Sequence, residues 1–271
     1  SVQTNGVSKA DDGTYDTNGK LYERQVMNIS GASLGLGKRL KWPDDYFMEY
    51  LTLSYQFYNF DEYFQTYSFT SGNANNVNFG IALSRSSSYD PIFPKSGSEI
   101  SASVTFTPPY SYFNDKDYST ATDQDKFKWL EYHKWKFNAT LYTKLFGDLV
   151  LMSRTKFGFL GMWNKEVGLS PFERFYLGGD GLSGFALDGR EIIGMRGYYN
   201  SVLTPRDGSN QSIGGTIYSK YTMELRYPIS TNPMATIYLL SFVEAGNTWL
   251  KFTEFDPFAV KRSAGLGVRI Y

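Results

Sequence analysis

The sequence predicts an all-β chain that forms the wall of a transmembrane antiparallel up-and-down β-barrel. Three observations lead there. Apolar and polar residues alternate with period two in about nine separate runs. The links between runs alternate short and long, the rhythm of a barrel with tight turns at one membrane face and long loops at the other. Aromatic residues make up 18% of the chain and gather at run ends, although hydropathy averages below zero.

The elements follow in order. Arg24–Leu40 is a Gly-rich run with weak alternation. Phe47–Phe57 sets Phe47, Leu51, Leu53, Tyr55 and Phe57 against Thr52, Ser54 and Gln56. Val77, Phe79, Ile81 and Leu83 oppose Asn78, Gly80, Ala82 and Ser84. Ile100, Ala102, Val104 and Phe106 oppose Ser101, Ser103 and Thr105. Phe137, Ala139, Leu141 and Leu145 oppose Lys136, Asn138, Thr140 and Lys144. Leu149, Leu151, Phe157 and Phe159 face away from Arg154 and Lys156. Tyr221, Met223, Leu225 and Tyr227 oppose Lys220, Thr222, Glu224 and Arg226. Thr236–Trp249 alternates less cleanly, and Ala264, Leu266, Val268 and Ile270 oppose Ser263, Gly265, Gly267 and Arg269. Trp42, Tyr46, Phe60, Tyr110, Trp129, Trp163, Tyr227 and Trp249 stand where an interfacial girdle needs them. Charged residues on the second face suit a wet lumen; a soluble β-sandwich is the competing reading of the same alternation.

Composition narrows the function. With 27 basic and 27 acidic residues there is no cationic stripe for nucleic acid. No cysteine is present, so disulfides and thiolate metal sites are excluded, and the single histidine, His133, excludes sites needing two imidazoles. No apolar run reaches the roughly 20 residues of a membrane helix. Neither a partnered nucleophile nor calcium-ligand spacing stands out, so the reading is of a non-enzyme without cofactor or metal. Gly178-Gly179-Asp180-Gly181 lacks the strand and helix that would make it a phosphate cradle.

The short links are Lys38–Asp45, Tyr89–Ser98, Phe146–Asp148 and Pro228–Pro233. The long ones are Asp61–Asn75, Pro108–Lys128, Lys165–Ile213 and Asn247–Arg262. Within the third long link, Pro171–Tyr198 keeps placing aromatics beside glycine. A link beyond roughly 15 residues is usually functional or disordered, and this one is built to fold back and pack.

Three motifs carry a family resemblance: Phe93-Pro94-Lys95-Ser96-Gly97 before a strand, Phe175-Tyr176-Leu177-Gly178-Gly179 with the later Arg196-Gly197-Tyr198, and Glu244-Ala245-Gly246-Asn247-Thr248-Trp249. In this order they resemble the barrel of the BamA family, the outer-membrane assembly insertases, and within it the Bacteroidetes-type sequences. The wider superfamily includes TamA-like and two-partner-secretion translocation barrels, and a passive porin or transporter is the reading from another class. The resemblance implies a partial outer-membrane barrel domain over residues 1–271, covering about nine of about sixteen strands. The first and last strands and the periplasmic POTRA domains would lie outside it. It implies unfolded outer-membrane proteins as substrates, with accessory assembly lipoproteins, outer-membrane lipids and lipopolysaccharide as partners, in the outer membrane of a Gram-negative cell.

It also implies that the link at about 165–213 enters the lumen and sets an arginine on acidic wall residues. Here the sequence departs from the pattern. Leu182-Ser183-Gly184-Phe185 stands where the family has its arginine, and Ser183 carries no cation. Glu224 and Glu244 are the expected wall carboxylates, and buried without a partner they would be costly. Arg196, or else Arg190, is the expected substitute. The plain alternative is that Arg196 is a solvated loop arginine.

Overall fold

The computed structural model describes residues 3–6, 26–61, 71–114, 116–180, 190–232 and 235–271. The described residues form twelve strands: β1 (Gln3–Gly6), β2 (Val26–Arg39), β3 (Phe47–Asp61), β4 (Gly72–Ser86), β5 (Gly97–Phe106), β6 (His133–Lys144), β7 (Val150–Gly161), β8 (Phe175–Leu177), β9 (Glu191–Ile193), β10 (Ile217–Asn232), β11 (Ala235–Trp249) and β12 (Lys261–Ile270). Ten form one sheet in the order β1-β2-β3-β4-β5-β6-β7-β10-β11-β12, and every pair in it is antiparallel. β8 and β9 make a separate parallel pair between β7 and β10 in sequence. This is the meander of a partial β-barrel.

Each of the nine alternating runs becomes a long strand, and the structure adds β1. Gln3–Gly6 escapes a pattern search because four residues, Gln, Thr, Asn and Gly, show no alternation. β4 starts at Gly72, five residues before the visible alternation, because asparagines fill its first turn of pleat. β10 runs on through Pro228, where the register with β11 slips between Pro228 and Ser230. Proline cannot donate to the ladder, so a bulge is the expected accommodation.

One face of the sheet leaves Leu51, Leu53, Ile81, Leu83, Phe137, Leu141, Met223, Leu225 and Val243 exposed. That is the outward, lipid-type face. The opposite, inner face is polar over its middle, with Thr140, Lys220, Thr222, Glu224 and Arg226. At its long-loop end it is apolar: Tyr58, Phe60, Leu160 and Tyr218 join Phe172, Phe175, Leu177 and Met195 of the segment 162–216 in a buried cluster. The wet lumen expected from the sequence is therefore packed at this end. Tyr58 and Phe60 break the alternation of β3 because they meet this segment instead of water, with ring centroids 5.0 and 5.7 Å from Phe172. At the short-turn end a second cluster seats Phe93 against Tyr142, Val150, Met152, Tyr238 and Leu240. The Phe93-Pro94 motif thus turns a tight link inward, Phe93 lying 5.1 Å from the Tyr238 ring.

Candidate functional site

The described parts of the segment 162–216, residues 162–180 and 190–216, leave β7, pack on the inner face and return as β10. Its two arms are joined by β8 and β9, and then by a bridge between Gly179 and Met195. Gly178 N–H donates to Ile193 O at 3.0 Å and Gly179 N–H to Tyr198 O at 2.9 Å. These amides are committed to the loop's own carbonyls, which removes the phosphate-cradle reading. Gly178 has φ +132°, and a Cβ there would sit 2.3 Å from the Tyr199 backbone carbonyl oxygen. Glycine is required for the arms to meet, and their meeting presents Arg196 to the wall.

Arg196 lies on Glu224 of β10 and Glu244 of β11. Its Nη2 donates to Glu224 Oε1 at 2.7 Å and to Glu244 Oε1 at 2.8 Å, its Nε reaches Glu244 Oε1 at 3.1 Å, and its backbone N–H donates to Glu244 Oε2 at 2.8 Å. The guanidinium carbon is 3.7 Å from the Phe242 ring centroid. Glu224 and Glu244 are 1% and 2% exposed. Phe242 faces inward between them in register, opposite Glu224, and Gly265 of β12 makes room for it: a Cβ at Gly265 would stand 2.7 Å from Phe242 Cζ. Such a planar fork, charge-assisted at two carboxylates, is geometry that a lysine cannot reproduce.

The structure corrects one premise. The wall carboxylates do not depend on the loop for a countercharge. Glu224 also receives Arg226 at 2.7 Å and Arg269 of β12 at 3.3 Å, and Glu244 receives Lys220 at 3.0 Å. Lys220 Nζ further donates to Gly194 O in the loop. What Arg196 adds is a tie between loop and wall, not neutrality. Lys220, Arg226 and Arg269 stand on the polar face in the sequence, which does not single them out as partners of these carboxylates. The first two share the inward parity of Glu224 and were legible as inward; Arg269 reaches across β11, which only the sheet register reveals.

Gly197 follows with φ +85°, and a Cβ there would stand 3.3 Å from Ser263 Cβ. Tyr198 Oη donates to Arg262 O at 2.8 Å. The Arg196-Gly197-Tyr198 triplet therefore touches β10, β11 and β12 together. Arg190 sits elsewhere, its guanidinium carbon 5.6 Å from the Tyr176 ring centroid. Leu182, Ser183, Gly184 and Phe185 lie outside the described residues.

A second tie joins the loop to the other side of its own crossing. Lys134 of β6, 5% exposed, stands 2.9 Å from both Glu173 Oε2 and Glu191 Oε2, with Lys136 at 3.4 Å from Glu191. Burial alone raises the Glu191 carboxyl, but Lys134 and Lys136 beside it hold it net below its ordinary value. Here wall lysines hold loop glutamates, the reverse polarity of the Arg196 tie. The inward parity of Lys134 and Lys136 was readable; their partners 39 and 55 residues away were not.

His133 packs at a tilt against Trp163, ring centroids 4.8 Å apart, and accepts from Trp135 Nε1 at 3.0 Å, on the outward side. Among the described residues no group of three or more His, Cys, Asp or Glu gathers as a metal site.

No curated protein matches the chain by sequence. Among solved structures, BamA from Haemophilus ducreyi lacking POTRA domains 1–3 superposes with a TM-score of 0.65 at 18% identity, covering 90% of this chain and 48% of that one. CdiB from Escherichia coli superposes with a TM-score of 0.51 at 15% identity, covering 91% of this chain and 40% of that one. The chain thus spans less than half the length of either structure, and these likenesses establish its fold. The sequence itself matches the Omp85 superfamily domain over residues 6–271, and the chain belongs to the Omp85 superfamily.

Proposed function

We propose that these residues form most of the wall and the lumen loop of a BamA-type insertase in the outer membrane, folding other barrels into the bilayer without cofactor or covalent chemistry. The observation that carries this reading is the docked segment 162–216. It fills the inner face at the long-loop end and is fastened to the wall by Arg196. A wall braced in this way can keep its shape while strands elsewhere in the barrel separate. The task of an insertase is to spare a substrate the exposure of unpaired backbone groups to lipid. A free strand edge does so by pairing with the incoming strand. Unfolded outer-membrane proteins are the substrates on this account, accessory lipoproteins and outer-membrane lipids the partners.

A TamA-like or two-partner-secretion translocation barrel is the second reading, favoured by the fold shared with CdiB. A passive porin fits poorly with an inner face this occupied. Reconstituting the full-length protein in phospholipid vesicles separates the three. An insertase speeds the folding of an added unfolded barrel, scored by heat-modifiable gel mobility, and shows little steady conductance. Translocation of an exported polypeptide without faster barrel folding would favour the second reading. Steady ohmic conductance with neither would favour the porin.

A further inference from the structure

The long loop 250–260, between β11 and β12, folds outward over the wall instead of standing above it. Its helical turn, Phe252–Glu254, places Phe252 at 5.9 Å from Phe159, and Phe255 follows at 5.8 Å from Phe157 and 5.0 Å from Trp249. Phe157 and Phe159 are on β7, and β10 lies between β7 and β11, so this loop spans the outer face of β10. The effect on β10 is plain. Its outward Tyr221, Met223 and Leu225 are exposed, whereas Ile217 and Ser219, in the same outward series, are 0% and 1% exposed. Ser219 Oγ is buried with no hydrogen-bond partner, as expected beneath a cover of aromatic rings. Asn247, also outward, donates from Nδ2 to Ala259 O at 2.7 Å and pins the far end of the loop.

The level of this cover identifies its surroundings. Trp135 and Phe137 of β6 pair with Phe159 and Phe157 in the sheet register, and they are exposed on the lipid-type face. The loop thus occupies space that, one strand away, is left to the medium around the barrel. Among its exposed side chains are two large apolar rings, Phe252 at 68% and Phe258 at 86% exposed, beside polar Thr253, Glu254 and Asp256. Exposed Lys251, Lys261 and Arg262 flank them, and against Glu254 and Asp256 they leave the stretch with a local excess of positive charge. Aromatic rings beside long cationic side chains match the level of lipid headgroups, where a ring enters the acyl boundary and an ammonium or guanidinium reaches phosphate.

We infer that the loop 250–260 is a membrane-interface anchor: Phe252 and Phe258 enter the outer leaflet, and Lys251 and Arg262 contact the phosphates of anionic lipid. The inference rests on the outer-membrane reading above and assigns this loop, unlike the inward 162–216 segment, to the bilayer. It fixes the height of the β10–β12 wall, the part of the wall that holds the Arg196 tie.

The 271 residues contain no cysteine, so a nitroxide label can be placed by Phe258→Cys, with Met223→Cys as a mid-wall reference. Both positions are exposed. The full-length protein is reconstituted in phosphatidylethanolamine–phosphatidylglycerol vesicles, and label relaxation by oxygen is compared with that by a water-soluble nickel chelate. Oxygen dominating at both sites is the expected result. Nickel dominating at 258 with oxygen dominating at 223 overturns the anchor and leaves the barrel reading intact. Nickel dominating at 223 overturns the membrane wall itself, and the anchor with it. Spin–spin broadening at 258 that disappears on dilution with unlabelled protein overturns lipid as the occupant in favour of a second copy.

Discussion

Arg196 makes four donor contacts with two nearly inaccessible carboxylates, yet both carboxylates keep other cations when it is removed. This distinction sets the size of the expected effect. Stripping a buried carboxylate of its only cation costs roughly 3–5 kcal/mol, whereas losing hydrogen bonds to a charged group that stays compensated costs about 2 kcal/mol. Arg196→Ala is expected to loosen the loop by that smaller amount, with β10–β12 still folded, and the backbone N–H contact to Glu244 remains available. Arg196→Lys should recover little, because an ammonium cannot bridge both carboxylates with the same fork. Limited proteolysis within 190–213 reads the difference; equal cleavage of wild type, Ala and Lys variants would contradict it. This was the residue most legible in the sequence, since the Arg-Gly-Tyr triplet and the parity of Glu224 both pointed to it. Lys220 and Arg226 share the inward parity of Glu224, but that they already hold the two carboxylates depends on rotamer, and the reach of Arg269 depends on sheet register.

Two connecting elements carry glutamates, one buried and one partly buried, with opposite responses to acid. Glu131, just before β6, accepts from Ser111 N–H and from Ser111 Oγ at 2.8 Å. Burial raises its carboxyl above the ordinary 4.5, the Ser111 hydrogen bonds opposing that only in part. A raised folded value means that the docked form of the 107–132 loop is favoured at low pH and loses that advantage as pH rises through the raised value. Glu191 in the 162–216 segment is depressed below 4.5, so its contribution is present above 4.5 and is lost as pH falls through the depressed value. Amide-exchange protection should therefore weaken in 107–132 on raising the pH and weaken around β9 on lowering it. Glu131→Gln should abolish the first trend and Glu191→Gln the second; parallel trends in both elements would refute the assignment. Removing Lys134 attacks the second tie directly. Lys134→Met leaves Glu173 without its cation while Glu191 keeps Lys136, and is expected to cost about 3 kcal/mol of loop docking. Thermal release of the loop, followed by the same protease cut, checks it. At this scale the nine alternating strands were readable because half-buried sheets enforce period two. The two ties were not, because pairs 28 to 57 residues apart leave no local pattern.

Across the whole molecule, the polar middle of the inner face and the apolar plug at the long-loop end do different work. The plug rings of Phe172 and Phe175 sit on aromatics of β3 and β10, and Gly158 of β7 leaves room for them: a Cβ there would stand 2.8 Å from Phe175 Cζ. Below it a polar recess remains, lined by Arg85, Glu99, Asn138, Arg154 and Lys156. The alternation in the sequence described this lower, wetter zone well and missed the upper one, since an inward aromatic reads the same whether it meets water, lipid or a plug. The central claim is that the 162–216 segment is docked inside the wall by Arg196, and one cross-link tests it. A Cβ at Gly197 stands 3.3 Å from Ser263 Cβ, close to the roughly 3.5–4.5 Å spacing of a disulfide. Gly197 takes φ +85°, which strains a cysteine there, so the pair is read in a Gly197→Cys background whose protease resistance in 190–213 matches wild type. In outer membranes of cells making the full-length protein, Gly197→Cys, Ser263→Cys should then cross-link under mild oxidation, and adding Arg196→Ala should slow that reaction. Two cysteines that react with a water-soluble maleimide yet never cross-link, with or without Arg196, would contradict the docked loop.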